Sequence, residues 1–391
     1  MTKFARKNAR KSHQKSAFPL PSARSAANKA HKIIDKSPRV LYNKFKAHLK
    51  RFKFVKKGEE MSTRVKLSDI AKECKVSNGT VSLALNNSPL VNNDTKRLIK
   101  KTADRMGYIP NEMARSLVKK HSGKIGVVVP DIINSFYATF VSELSREIRS
   151  QGYTLAIYIS DNDTEAEGSA VDEMLANNVE GIIIVPVNKG NASPAYFERL
   201  SQHKVPYIFA VDRYSGIDGI CVSSDCKAGM YAMVKHLIEK GYKDIAYLSG
   251  DLSVPTLSSR HEGYLKAIKE SDIEERLILV SSIDYDGARK ACLDCISTLP
   301  RAFVCPNDMM ALGVINTLRE QGIAVPEMCA VTGFDGTIFS QISSVEITTV
   351  RQDIKQIAQK SSRLITDLIN GAELKKTDEL ISTELLIKKS C

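Results

Sequence analysis

The chain has 391 residues, 43% apolar and 26% charged, a globular composition too long for one ordinary domain and suited to two or three. Its net charge of +13 is uneven: residues 1–60 hold 18 Lys and Arg against 3 Asp and Glu, residues 61–121 hold 12 against 5, and residues 122–391 hold 27 against 36. A basic front and an acidic remainder place any phosphate-bearing partner at the N-terminal part, and with no 18-residue apolar run and no apolar core in the first 30 residues neither a spanning helix nor a secretory signal is expected.

Residues 1–60 are rich in Lys, Arg, Ser and Ala with little periodic apolar content before Leu41, so a mostly disordered extension is expected, with a weak basic helix near Leu41 to Val55. Three readings fit it: an arm that adds phosphate contacts, an organelle transit peptide, or a misassigned start. The last is favoured, because Lys57-Gly58-Glu59-Glu60-Met61 can be encoded by a purine-rich ribosome-binding sequence just ahead of an ATG.

Residues 61–110 read as a small helical head. Leu67, Ile70, Ala71 and Cys74 stand at i, i+3, i+4 and i+7, one apolar face of a helix. Lys75-Val76 turns the chain, and Ser77 is a cap for a second helix, Asn78 to Asn86, facing inward with Val81, Ala84 and Leu85. Two short helices with so tight a turn make a helix-turn-helix, whose second helix leads with the small and polar Asn78, Gly79, Thr80 and Ser82 that a major groove requires. Asn92 caps a third helix running to Gly107, with Leu98, Ile99, Ala103 and Met106 packing back; Tyr108-Ile109-Pro110 stops it, and Asn111 caps a short helix to Leu117.

The series Asp69-Ile-Ala, Val76-Ser77, Thr80-Val-Ser82, Asn86, Gly107-Tyr-Ile-Pro-Asn111 and Ala114-Arg-Ser-Leu117 resembles the head and hinge of the lactose/galactose repressor family of bacterial transcription regulators. That resemblance implies a DNA interface of Ser77, Asn78, Gly79, Thr80, Ser82, Leu83 and Asn86 on the head, with Asn111, Ala114, Arg115 and Leu117 in the hinge, residues 111–121. Leu117 would then wedge between central base steps in the minor groove. Where relatives carry side chains for direct readout stand Asn78, Gly79 and Leu83; Asn78 can pair with adenine and Leu83 can touch a thymine methyl, whereas Gly79 offers nothing.

From residue 122 to 391, short apolar runs alternate with amphipathic helices, the pattern of parallel α/β sheets. Strands are expected at Ile125–Val129, Thr154–Ile159, Gly181–Val185, Tyr207–Ala210, Ile245–Ser249, Leu277–Val280, Ala302–Cys305, Ala330–Thr332 and Leu380–Ile387. Helices are expected at Phe136–Gln151, Glu165–Asn178, Pro194–His203 and Lys227–Gly241, then from Arg260, after Asp286 and from Met309. Two doubly wound lobes with a ligand crevice at the carboxyl ends of their strands fit this order, and the resemblance, to sensors like periplasmic sugar-binding proteins, makes it specific. It also implies three crossings between lobes, near Tyr242, near Gly336 and before the last strand.

By the same resemblance, Arg260 grips effector hydroxyls or an anionic group and Asp335 accepts from hydroxyls or ring nitrogens. Asp212-Arg213 and Asn307-Asp308 sit at corresponding loops, Asp308 able to cap the next helix, and Phe136 is placed to stack on an apolar ligand face. Gly336 stands where relatives carry a second polar residue. The eight cysteines lack paired spacing except Cys292-x-x-Cys295, no second pair completes a metal site, and no metal or cofactor is expected.

The expectation is thus a cytoplasmic, nucleoid-associated regulator, a repressor of a pseudo-palindromic operator, gated by a small-molecule effector. A sugar is the first choice of effector, a nucleobase or nucleoside the second and a partner protein the third. A homodimer joined through apolar faces of the helices beside the first strands is expected, since no heptad tail follows Ile387. A transporter solute-binding protein shares the sensor but not the head. A nicotinamide-dependent dehydrogenase would need G-x-G-x-x-G after the first strand, and no P-loop or nucleophile elbow is present, so an enzyme is not expected.

Overall fold

The computed structural model describes residues 65–109, 121–189, 195–374 and 378–391. The basic extension and the hinge helix, with Asn111, Ala114, Arg115 and Leu117, fall outside them.

The chain forms two compact units that part after Ile109. The first holds α1 (Leu67–Cys74), α2 (Asn78–Leu85) and α3 (Asn93–Arg105). The Asp69 carboxylate accepts from the Lys66 amide at 2.8 Å, and Lys75 ends α1 in the left-handed region at φ 57°. Ser77 Oγ then accepts from the Thr80 amide at 3.1 Å and Asn92 Oδ1 from the Thr95 amide at 2.8 Å, each cap contributing about 1 kcal/mol. Ile70, Ala71, Val81, Ala84, Val91, Ile99 and Ala103 form the core. Leu98 departs from expectation and is 54% exposed. Once Ile99, Thr102 and Ala103 take the buried face of α3, the residue before Ile99 lies about 100° round the helix, outside the contact.

The second unit holds two lobes of equivalent topology. Lobe 1 contains β1 (Lys124–Val129), α4 (Ser135–Ser150), β2 (Thr154–Ile159), α5 (Thr164–Ala176), β3 (Gly181–Ile184), α6 (Tyr196–His203), β4 (Tyr207–Ala210) and β5 (Cys221–Ser224). Lobe 2 contains α7 (Cys226–Glu239), β6 (Ile245–Ser249), α8 (Pro255–Lys269), β7 (Arg276–Leu279), α9 (Tyr285–Asp294), β8 (Ala302–Val304), α10 (Asp308–Glu320), β9 (Ala330–Asp335), α11 (Phe339–Ile342) and β10 (Thr348–Gln352). The chain then forms α12 (Ile354–Ile369), β11 (Glu379–Ile381) and β12 (Thr383–Leu386). The sheets run β11-β5-β4-β3-β1-β2 and β12-β10-β9-β8-β6-β7, parallel throughout except that β12 is antiparallel to β10. In both sheets the order reverses at the first strand, the switch point at which a doubly wound sheet leaves a crevice.

Three crossings join the lobes, but two lie elsewhere than expected. α7 packs its Met230, Met233, Val234 and Leu237 into the lobe 2 core, so the first crossing is at Asp225, directly after β5. α12 returns Ile357, Ala358 and Ile365 to the lobe 1 core, which puts the second at Asp353. The single final strand divides at Ser382, β11 pairing with β5 and β12 with β10. The first and third crossings are bonded together, Asp225 N donating to Ile381 O at 2.8 Å and Thr383 Oγ1 to Asp225 O at 3.3 Å. The terminal residues are part of lobe 2: the buried Ser390 hydroxyl donates to Val331 O and accepts from Thr348 N at 2.9 Å.

α7 and α8 pack in lobe 2 at a glycine. A Cβ on Gly263 would fall inside contact distance of Lys227 O and 3.0 Å from Tyr231 N, so only glycine lets the two backbones approach. Cys292 is buried and Cys295 half-buried in the apolar core between α9 and α10, both as free thiols.

Candidate functional site

On the head, α2 is divided between core and surface. Val81 and Ala84 are fully buried, while Ser77, Asn78, Gly79 and Asn86 are exposed, Thr80 and Ser82 half-buried, and Leu83 is 39% exposed. The predicted base-reading residues therefore share the outer side of one helix, whose buried side is fixed by α1 and α3. Arg105 ties α3 back to Glu73 at the end of α1 at 2.6 Å.

The lobes enclose a cleft of about 710 Å³ at the carboxyl ends of their strands. Lobe 1 contributes Asp131, Asn134, Phe136 and Tyr137 after β1, Asp161 and Asn162 after β2, Asn188 and Lys189 after β3, and Val211 after β4. Lobe 2 contributes Asp251, Arg260, Ser282, Asp284, Asn307, Asp335 and Gln352. The Asn134 side chain caps α4 by accepting from Phe136 N at 3.0 Å, which turns the buried Phe136 and Tyr137 rings to the cleft, edge to face at 5.6 Å.

Arg260 and Asp335 form the buried centre of the lobe 2 wall, 8% and 4% exposed, with Arg260 Nη2 3.5 Å from Asp335 Oδ1. Arg260 Nη1 donates to Pro306 O at 3.0 Å, and the guanidinium lies 4.2 Å over the Phe334 ring. Its Nε is buried with no hydrogen-bond partner. Asp335 also accepts from Gln352 Nε2 at 2.7 Å. Burial pushes the Asp335 carboxyl up to about 7, with the Arg260 charge pulling the other way. Asp335 holds a positive φ of 103°, and Val211, at the equivalent strand end of lobe 1, a φ of 71°. Such backbone costs of order 1–3 kcal/mol per residue and collects at ligand clamps.

Four of the five predicted effector residues, Phe136, Arg260, Asn307 and Asp335, meet at this cleft. Asn307 is half-committed: its Oδ1 caps α10 by accepting from Met310 N at 2.7 Å, and its amide donates to Ile283 O at 3.2 Å. Asp212 lies behind the lining, where Val211 takes its place. Its carboxylate crosses to lobe 2 and accepts from Thr256 N at 3.1 Å and Thr256 Oγ1 at 2.7 Å. α8 has Val254 at its N-cap, with no side-chain bond, so the other lobe supplies the cap. Arg213 pairs with Asp378 at 2.5 Å instead of facing the cleft.

Asp308 is no helix cap. It is fully buried, accepting from Thr337 N at 2.6 Å, Thr337 Oγ1 at 2.9 Å and Thr349 Oγ1 at 2.6 Å, and burial pushes its carboxyl up to about 6. Gly336 has a structural reason: its φ is 71° and a Cβ would stand 2.8 Å from Arg351 Cα.

Sequence reasoning passed over Asp131, Asn162 and Asn188, whose only local signal is a polar residue just past an apolar run, and Gln352, the last residue of a strand too polar to read. It also passed over a buried carboxyl behind the lobe 1 wall. Glu167 on α5 accepts from Tyr196 Oη at 2.9 Å and Tyr214 Oη at 2.6 Å, while Val187 N, beside cleft residue Asn188, donates to Tyr214 Oη at 3.3 Å. Its second oxygen is buried without a partner, and burial pushes the carboxyl up to about 7.

A helix-turn-helix head followed by a two-lobed ligand cleft defines a DNA-binding regulator with an effector domain. Residues 66–111 match the family model described as bacterial regulatory proteins, lacI family, and residues 234–391 match a periplasmic binding protein-like domain. Catabolite control protein A of Priestia megaterium is 32% identical over 311 residues, covering 78% of this chain and 93% of that protein. The ribose operon repressor of Halalkalibacterium halodurans is 27% identical over 326 residues, 83% of this chain and 96% of that one. Among solved structures, the lac repressor dimer bound to operator and the anti-inducer ONPF superposes with a TM-score of 0.75 at 24% identity, covering 84% of this chain and 99% of that one. The chain belongs to the lacI family of bacterial regulatory proteins, and is a DNA-binding transcriptional regulator.

Proposed function

We propose that the protein is a repressor that binds a pseudo-palindromic operator as a homodimer and is gated by an uncharged sugar bound between its lobes. The observation that carries the effector reading is the buried Arg260–Asp335 pair on the wall of a cleft lined by amides, hydroxyls and carboxylates together with apolar side chains such as Phe136, Leu257 and Ile283. Among the described residues Asp131, Asp161, Asp251, Asp284 and Asp335 face that space against Lys189 and Arg260, which disfavours an anionic ligand. A sugar supplies donors for the carboxylates and amides and an apolar ring face for Phe136. In this reading Phe136, Arg260, Asn307 and Asp335 touch the effector, and Asp212 acts on it through Thr256. The protein carries out no chemistry on the ligand and works in the cytoplasm, on the nucleoid.

On DNA, Ser77, Asn78, Gly79, Thr80, Ser82, Leu83 and Asn86 would meet the major groove, and Asn111, Ala114, Arg115 and Leu117 the minor groove at the centre of the site. The outer face of α4 is polar, with Thr139, Ser142, Arg146 and Arg149 exposed, so the dimer contact is assigned elsewhere. Edge strands β2 and β7 occupy equivalent places in the two sheets, and β2 exposes Ile157 at 49% and Ile159 at 39%. A second copy would cover them and close both edges.

Calorimetric titration with a panel of sugars and nucleosides tests the effector reading. One sugar is expected to bind, with Arg260→Ala weakening it by at least about tenfold, as for a lost charged hydrogen bond. Asn188→Ala, which removes a cleft amide whose bond to Tyr137 Oη is long at 3.5 Å, is expected to weaken it without loss of fold. Operator binding that no ligand of the panel alters would overturn the proposal.

A further inference from the structure

We propose that Leu83 reads the 5-methyl group of a thymine in each operator half-site, and that Gly79 is present so that the helix backbone can seat against the DNA. The inference rests on the DNA-binding reading of the head and deepens it to a base identity.

Gly79, Leu83 and Asn86 stand at i, i+4 and i+7 on the outer face of α2. That face is polar at Ser77, Asn78 and Asn86 and lies on a segment with 12 basic against 5 acidic residues, so it suits the groove of a polyanion. A leucine there is out of character. Val81 and Ala84 already fill the inner side of the helix at 0% exposure, and Leu83 keeps 39% of its surface open. Base edges in the major groove present donors, acceptors and one apolar group, the thymine methyl. An open leucine entering that groove gains only against that group, and it leaves a guanine or cytosine edge with unmet hydrogen bonds.

Gly79 is equally unexplained by the protein's own packing. It is helical with no positive φ, and a Cβ would meet only Ser77 Oγ at 3.6 Å, an ordinary contact. Glycine inside a helix costs about 0.5–1 kcal/mol relative to alanine. One turn before Leu83, a missing side chain lowers the helix surface at the point where Leu83 must reach a base. Asn78 beside it is exposed and can bond an adenine edge bidentately, so the half-site should be rich in A·T pairs.

The test selects duplexes from a random pool with the full chain, then replaces each thymine of the winner singly with deoxyuridine, which removes only the methyl. Uracil at one symmetry-related pair of positions is expected to weaken binding about fourfold per half-site, the factor for burying one methyl group. Leu83→Ala should bind the thymine and uracil duplexes alike. Gly79→Ala should keep or raise the melting temperature yet lose about tenfold or more in operator affinity. Uracil substitutions that change nothing, a Leu83→Ala variant that keeps the sensitivity, or a Gly79→Ala variant that binds as wild type would each overturn the proposal. Failure to enrich any sequence would instead overturn the DNA-binding reading on which it rests.

Discussion

Glu167→Gln isolates the buried carboxyl behind the lobe 1 wall. Glu167 is 0% exposed, accepts from two tyrosine hydroxyls, and is pushed by burial from 4.5 up to about 7. The folded pKa lies above the unfolded one, so between those values the folded state binds more protons than the unfolded state. Stability therefore falls as pH rises through that window, and the loss is complete above about pH 7. At 1.36 kcal/mol per unit the loss is about 3 kcal/mol. Glutamine keeps an acceptor for Tyr196 and Tyr214 and cannot ionise, so the variant should match wild type near pH 4 and exceed it by about 3 kcal/mol near pH 8. Urea unfolding followed by circular dichroism across that range measures the difference, and subtracting the two curves cancels the titration of Asp308 and Asp335. A variant curve parallel to wild type, or lower at the alkaline end, would refute the burial argument.

Asp212→Ala removes the acceptor for both Thr256 donors and leaves α8 uncapped; it should weaken lobe closure by about 2–3 kcal/mol. Small-angle scattering should show a more open sensor, and effector affinity should fall; an unchanged profile would show that the cross-lobe bonds do not hold the cleft. Gly263→Ala should destabilise lobe 2 by roughly 1–3 kcal/mol, because the new methyl meets the α7 backbone. Thermal unfolding at wild-type level would contradict that close approach. Asp335→Asn should flatten the pH dependence of effector affinity around pH 7, where burial places this carboxyl; calorimetry across that range checks it, and an unchanged profile would show that Asp335 does not meet the ligand.

The strands at Thr154–Ile159, Tyr207–Ala210 and Ile245–Ser249 and the caps Ser77 and Asn92 were legible because each is a local signal, an apolar run or a side chain bonding three residues on. Strands β5 and β10, Cys-Val-Ser-Ser and Thr-Thr-Val-Arg-Gln, were not, since hydroxyl and amide side chains buried in the sheet leave no alternating pattern. α12 carries a readable helical period in Ile354, Ile357, Ala358, Leu364, Ile365 and Leu368, but that period does not say which lobe it packs on. Missing these elements displaced two crossings between the lobes. The site was half legible. Arg260 and Asp335 could be placed at one cleft, whereas the Gln352 amide on Asp335 depends on the register of β10 beside β9, and the Asp212–Thr256 bonds on the meeting of two lobes.

The most direct test of the central claim is a fluorescence-anisotropy titration of the chain against its selected duplex, with and without the ligand panel. Nanomolar binding to a pseudo-palindrome, shifted about tenfold or more by one sugar, is the expected result, corresponding to a coupling of about 1.4 kcal/mol or more. Tight binding that no ligand shifts would contradict the effector gating, and the absence of site-specific binding would contradict the account at its base.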